Sequence, residues 1–81
     1  MIYIATFYSH FGAIRFKKAC DEKKIPAKLM PVPRSLSSSC GTCVQYQSEI
    51  PCPVDGWTEE VEQAVLVKET EYEEVYRAAN S

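Results

Sequence analysis

Two cysteines three positions apart close the stretch PVPRSLSSSCGTC, which runs from Pro31 to Cys43. A C-x-x-C pair is the spacing of dithiol redox centres, where one sulfur attacks and the other resolves, and of half a zinc site. Thioredoxin-like proteins set the pair between a strand and a helix, so that the helix N-terminus activates the first sulfur. Here the residues after Cys43 alternate as a strand, which argues against that fold. Cys40 is the candidate nucleophile, and Gly41 beside it lets a bulky partner approach the backbone. Cys43 either resolves Cys40 or simply begins a strand. Arg34, between Pro33 and the serines, is either a site charge or a surface charge. Ser35, Ser37, Ser38 and Ser39 either satisfy turn backbone groups or donate to a bound anion.

The remaining thiols and the single histidine fill in the chemistry. Cys20 sits on an apolar helical face and reads as a small core hydrophobe. Cys52 lies between prolines. A zinc set of Cys40, Cys43, Cys52 and His10 would suit that metal's taste for thiolate and imidazole. The second C-x-x-C of a zinc signature is missing, so no metal is expected, and no cofactor is called for. His10 is either a solvated residue at a helix start or a proton acceptor and charge partner for Cys40.

The elements that must position these groups are legible from periodicity. Residues 2–8, IYIATFY, are β-branched and aromatic on both faces and predict a central strand. Ser9 is placed to cap a helix running to about Lys24, with Ala13, Phe16 and Cys20 on its buried face. Pro26 disfavours helical geometry at Ile25 and ends it. AKLMPV (27–32) and the alternating CVQYQSE (43–49) give the second and third strands. Thr58 caps a predicted second helix with Glu59 and Glu60 in its first turn and Val61, Ala64 and Val65 as its buried stripe. EYEEVYR (71–77) is the fourth strand. One helix through residues 57–79 fits the same residues, since neither Gly nor Pro interrupts them, but it leaves a three-stranded sheet with an open edge. The order βαββαβ is that of an α+β, ferredoxin-like fold: a four-stranded antiparallel sheet with two helices on one face.

That order has a consequence for the cysteines. Strand one runs up, the helix runs down and strand two runs up again, so residues 32–42 return to the end of the sheet where the helix begins. They should approach Ser9, His10 and Gly12. A helix N-terminus carries unpaired N–H groups and about half a positive charge, which suits an anion or a thiolate. Ser9, His10, Arg34, Ser38, Ser39 and Gly41 are therefore the expected cradle for a thiolate on Cys40.

Composition bounds the rest. The chain has 81 residues, room for one domain (1–81), with 46% apolar and 25% charged residues, as in ordinary globular proteins. Net charge is −2, and the basic residues collect mainly at Lys17, Lys18, Lys23 and Lys24, so no nucleic-acid footprint is present. No apolar run approaches the roughly 20 residues that span a bilayer, and MIYIATFYSHFG has no basic leader region. The expectation is a cytoplasmic protein with reduced thiols and no membrane partner.

FYSHFGA, Phe7 to Ala13, and IPAKLMPVPRSLSSSCG, Ile25 to Gly41, together resemble the selenium/sulfur carrier-like family of small bacterial proteins. The resemblance covers most of the chain and is most specific at Pro33, Arg34, Ser38, Cys40 and Gly41; Cys43 falls outside the shared pattern, and the IPCPVDGW loop matches only loosely. It implies a carrier, not an enzyme, which accepts sulfur or selenium as a persulfide or selenopersulfide on Cys40 from a donor protein and hands it to an acceptor protein. Two rivals stand beside it: a thiol–disulfide protein using Cys40 and Cys43, and an interaction module whose thiols are incidental. Tyr3, Phe7, Tyr46, Tyr72 and Tyr76 would serve either core packing or a homodimer surface.

Overall fold

In the computed structural model, residues 1–51, 53–54 and 57–78 are described, with backbone alone at 57 and 58. Cys52 lies outside them. Strand β1 (Ile2–Phe7) leads into helix α1 (His10–Glu22), strand β2 (Ala27–Pro31) and strand β3 (Thr42–Gln47). A four-residue helical turn α2 (Trp57–Glu60), strand β4 (Val61–Val67) and strand β5 (Tyr72–Arg77) follow. Among the described residues the strands form one antiparallel sheet in the order β2-β3-β1-β4-β5.

The first half follows the sequence expectation. β1 is central because both of its faces are apolar: Tyr3, Ala5 and Phe7 are buried under α1, and Ile4 is buried on the opposite face. The Ser9 hydroxyl accepts the Gly12 N–H at 3.1 Å, capping α1. Gly12, Ala13, Phe16 and Cys20 form the helix's buried stripe. Phe16 meets the Phe7 and Tyr46 rings at centroid distances of 5.3 and 5.2 Å. The helix closes through two bonds, Ile25 N–H to Cys20 O (2.8 Å) and Lys24 N–H to Asp21 O (3.1 Å). These are the pair that defines a Schellman motif, with Lys24 (φ 61°) in the left-handed position usually held by glycine.

The second half corrects the expectation. The fold is not a four-stranded ferredoxin-like βαββαβ sheet with two helices: it has five strands and one helix longer than a single turn among the described residues. The predicted second helix shrinks to α2, and Thr58 stands inside that turn instead of before it. Val61, Ala64 and Val65 belong to a strand. The physical reason is a β-bulge: Phe7 faces Val61, Thr6 faces Gln63 and Ala5 faces Ala64, so Glu62 is an extra residue on β4. The bulge puts Val61 and Ala64 on the same face, three residues apart, which imitates helical spacing; Val65 points to the other face with Ile4. Valines at 61, 65 and 67 favour a strand once β1 offers an edge to pair with.

The core has two parts. The larger lies between α1 and the sheet and contains Tyr3, Phe7, Phe16, Val44, Tyr46 and Val61. Three of the aromatic residues considered for a dimer surface, Tyr3, Phe7 and Tyr46, are thus buried within the chain. The smaller lies on the opposite face, where Ile4, Cys43 and Val65 are covered by Met30, Val32, Leu36, Val67 and Tyr72.

Candidate functional site

The loop between β2 and β3 wraps the end of the sheet. Pro31 and Thr42 pair across its base, and Val32 N–H donates to Gly41 O at 3.2 Å, closing residues 32–41 into one excursion. Arg34 and Ser35 form the middle of a turn closed by Leu36 N–H on Pro33 O (3.0 Å). Leu36 and Val32 anchor this part on the face opposite α1. The chain then crosses the end of the sheet, and Cys40 packs against the cluster under α1. Gly41 has φ 75°, with open space where a Cβ would stand, so the glycine is required by backbone conformation and not by crowding.

The loop meets the start of α1, as the order of the first elements implies. The Ser38 hydroxyl donates to Phe7 O, the last carbonyl of β1, at 3.2 Å. His10 Nδ1 lies 3.0 Å from the Thr42 hydroxyl. Between these ties sits Cys40, half-buried: its N–H donates to Ser38 Oγ (3.4 Å), its Sγ donates to Thr42 O (3.4 Å), and Ser38 Oγ is 3.9 Å from the sulfur. Ser39 is held from the other side. The Glu62 carboxylate accepts the Ser39 N–H (3.1 Å) on one oxygen and the Ser39 hydroxyl (2.9 Å) on the other.

The residues named from the sequence are distributed unevenly over this site. Ser38, Ser39, Gly41 and Cys40 are in it, and His10 touches it through Thr42. The Ser9 hydroxyl is occupied in capping α1. Arg34 is exposed and makes no ion pair or hydrogen bond among the described residues. The first turn of α1 already faces a carboxylate of the chain itself. Glu60 pairs with Arg15, and its second carboxylate oxygen would lie 2.7 Å from a Cβ at Gly12. Thr42, Glu60 and Glu62 were missed by sequence reasoning. Thr42, inside the C-x-x-C, was visible as a polar spacer; the other two depend on where β4 begins and bulges.

The three described cysteines are free thiols in unlike settings. Cys43 is fully buried on the face opposite α1, its sulfur 3.6 Å from Pro31 O. Burial, and then the neighbouring Cys40, push its thiol up to about 11. Cys20 is equally buried, and burial followed by the Asp21 charge, partly offset by Lys17, raises it to about 11. Cys40 and Cys43 therefore belong to different clusters on opposite faces of the sheet. Among the described residues no three His, Cys, Asp or Glu side chains come together to hold a metal ion. No helix among them is long and apolar enough to cross a membrane.

No curated protein and no solved structure is significantly similar to the chain. The family described as "Putative Se/S carrier protein-like" matches residues 2–77, a span that takes in every strand, both helical segments and the Cys40 loop, and the chain belongs to that family.

Proposed function

We propose that the chain is a carrier that holds one sulfur or selenium atom on Cys40, as a persulfide or selenopersulfide, between a donor and an acceptor protein. The observation that carries this reading is the contrast among the described thiols. Cys40 alone is partly open, on a turn lined with hydroxyls, while Cys20 and Cys43 are buried with raised thiols. Family membership supports the cargo. A reducing cytoplasm, which keeps the thiol free, is the compartment that this chemistry needs.

Loading is an exchange of thiolates. The Cys40 thiolate attacks the outer sulfur or selenium of the donor's persulfide. The new bond forms as the bond between the donor's two chalcogen atoms breaks, and the donor leaves as a thiolate. The transferred atom keeps its own proton and oxidation level, so no oxidant is consumed. Delivery is the same exchange onto the acceptor's thiolate. As a thiol, Cys40 donates to the Thr42 carbonyl. Once ionised or loaded, Cys40 Sγ has no proton to give there, and the Ser38 hydroxyl, 3.9 Å away, is a donor that can turn toward it. His10, tied to Thr42, and the exposed Arg34 are available to a bound partner or to the anionic cargo.

The test is cyanolysis after treatment with inorganic polysulfide, since cyanide removes sulfane sulfur as thiocyanate. The wild type and Cys43→Ser should each release close to one equivalent, and Cys40→Ser none. Equal release from Cys40→Ser would refute the assignment. Loss in both variants would instead favour a thiol–disulfide protein that uses both cysteines.

A further inference from the structure

We infer that Glu62 is a positioning residue for Cys40: a carboxylate aimed by the β4 bulge that holds the cysteine-bearing turn closed from its outer side. This rests on the reading of Cys40 as the reactive thiol. Three observations carry it. Glu62 is the extra residue between Val61, facing Phe7, and Gln63, facing Thr6, and bulges beside functional sites serve to re-aim one side chain. Its own carbonyl is fixed by the Ala78 N–H at 3.0 Å, so the bulge is tied to the chain beyond β5. Both of its carboxylate oxygens are used on the residue preceding Cys40, one on the backbone N–H and one on the hydroxyl of Ser39. Charge-assisted hydrogen bonds of this two-point kind fix geometry more firmly than neutral ones.

The consequence is a turn gripped from two sides. Ser38 ties it inward to Phe7 O at the end of β1, and Ser39 ties it outward to β4. Between them the Cys40 sulfur is directed at the Thr42 carbonyl and kept half-buried. With the outer tie removed, the turn opens and the sulfur leaves that carbonyl for solvent.

The experiment measures alkylation of Cys40 by iodoacetamide across pH in the full chain, located by peptide mass spectrometry, for the wild type, Glu62→Ala and Glu62→Gln. Reading the high-pH plateau, where the thiol is fully ionised, separates access from ionisation. Loss of two charge-assisted hydrogen bonds in Glu62→Ala should raise the plateau rate by about fivefold or more. Glu62→Gln should stay within about twofold of the wild type, because its amide oxygen accepts the Ser39 N–H and its amide nitrogen donates to the Ser39 hydroxyl. Ser39→Ala, alone and combined with Glu62→Ala, completes a double-mutant cycle that should be clearly non-additive. An unchanged plateau in Glu62→Ala, a Gln variant as fast as the Ala variant, or strict additivity with Ser39→Ala would each overturn the assignment. Polysulfide loading of the wild type is read separately: if Cys40 accepts no sulfur, the carrier reading fails while the alkylation result still decides the role of Glu62.

Discussion

At the scale of single residues, the atoms around a sulfur decide what it can do. Cys20 and Cys43 are surrounded by apolar side chains, and burial holds both thiols near 11, above their ordinary value of 9.0. The sign of the resulting pH dependence follows from proton counting. Between about 9 and 11 the native state keeps protons that the unfolded chain has released, so stability must fall as pH rises through that window. Below the unfolded value the two states bind these protons equally and the groups contribute no slope. Thermal melts should therefore show a steeper loss from pH 9 to pH 11 in the wild type than in a Cys20→Ala/Cys43→Ala double variant. An identical loss in both would mean that these thiols ionise as easily in the folded chain as in the unfolded one. Cys40, Ser38, Ser39 and Gly41 could be picked out beforehand because the C-x-x-C marks the thiol and the order strand, helix, strand returns its loop to the start of α1. Arg34 could be named as a charge, but its lack of a partner among the described residues could not. Glu62 could not be named at all, because a glutamate among glutamates carries no signal until the bulge beneath it is known.

Elements differ in how openly they declare themselves. β1, α1, β2 and β3 were legible because their apolar periods agree with their caps and breakers: Ser9 before the helix, Pro26 after it, strict alternation in β3. β4 was not, because one inserted residue turned a period of two into a spacing of three. The helix end offers a test of local backbone energetics. Lys24 occupies the left-handed position of the Schellman motif at φ 61°, where a side chain is strained and glycine is not. Lys24→Gly should stabilise the chain by about 0.5–1 kcal/mol, the relief of left-handed strain exceeding glycine's extra unfolded-state entropy. In urea this appears as a higher midpoint with an unchanged slope. A lower midpoint would mean that the entropy term dominates at this helix end.

For the molecule as a whole, the layout explains why one thiol is singled out. The sheet is covered by α1 on one face, and among the described residues the loop that carries Cys40 crosses the other, beside Met30, Val67 and Tyr72 of the strands. Val32 and Leu36 bury its first half, and Ser38 and Ser39 secure its second, so the Cys40 sulfur is displayed by a segment fixed at both faces of the sheet. The sequence correctly implied that this loop returns to the start of α1, since that depends only on the order strand, helix, strand. It could not show that Cys40 and Cys43 part to opposite faces, which depends on where β3 begins relative to the loop. The most direct test of the carrier assignment is the intact mass of the protein as isolated, before and after reductant, beside Cys40→Ser and Cys43→Ser. A carrier working through Cys40 should show a reducible gain of one sulfur or selenium atom in the wild type and in Cys43→Ser, absent from Cys40→Ser. A loss of two hydrogens that requires both cysteines, or a mass that stays unmodified in the presence of a persulfide donor, would contradict it.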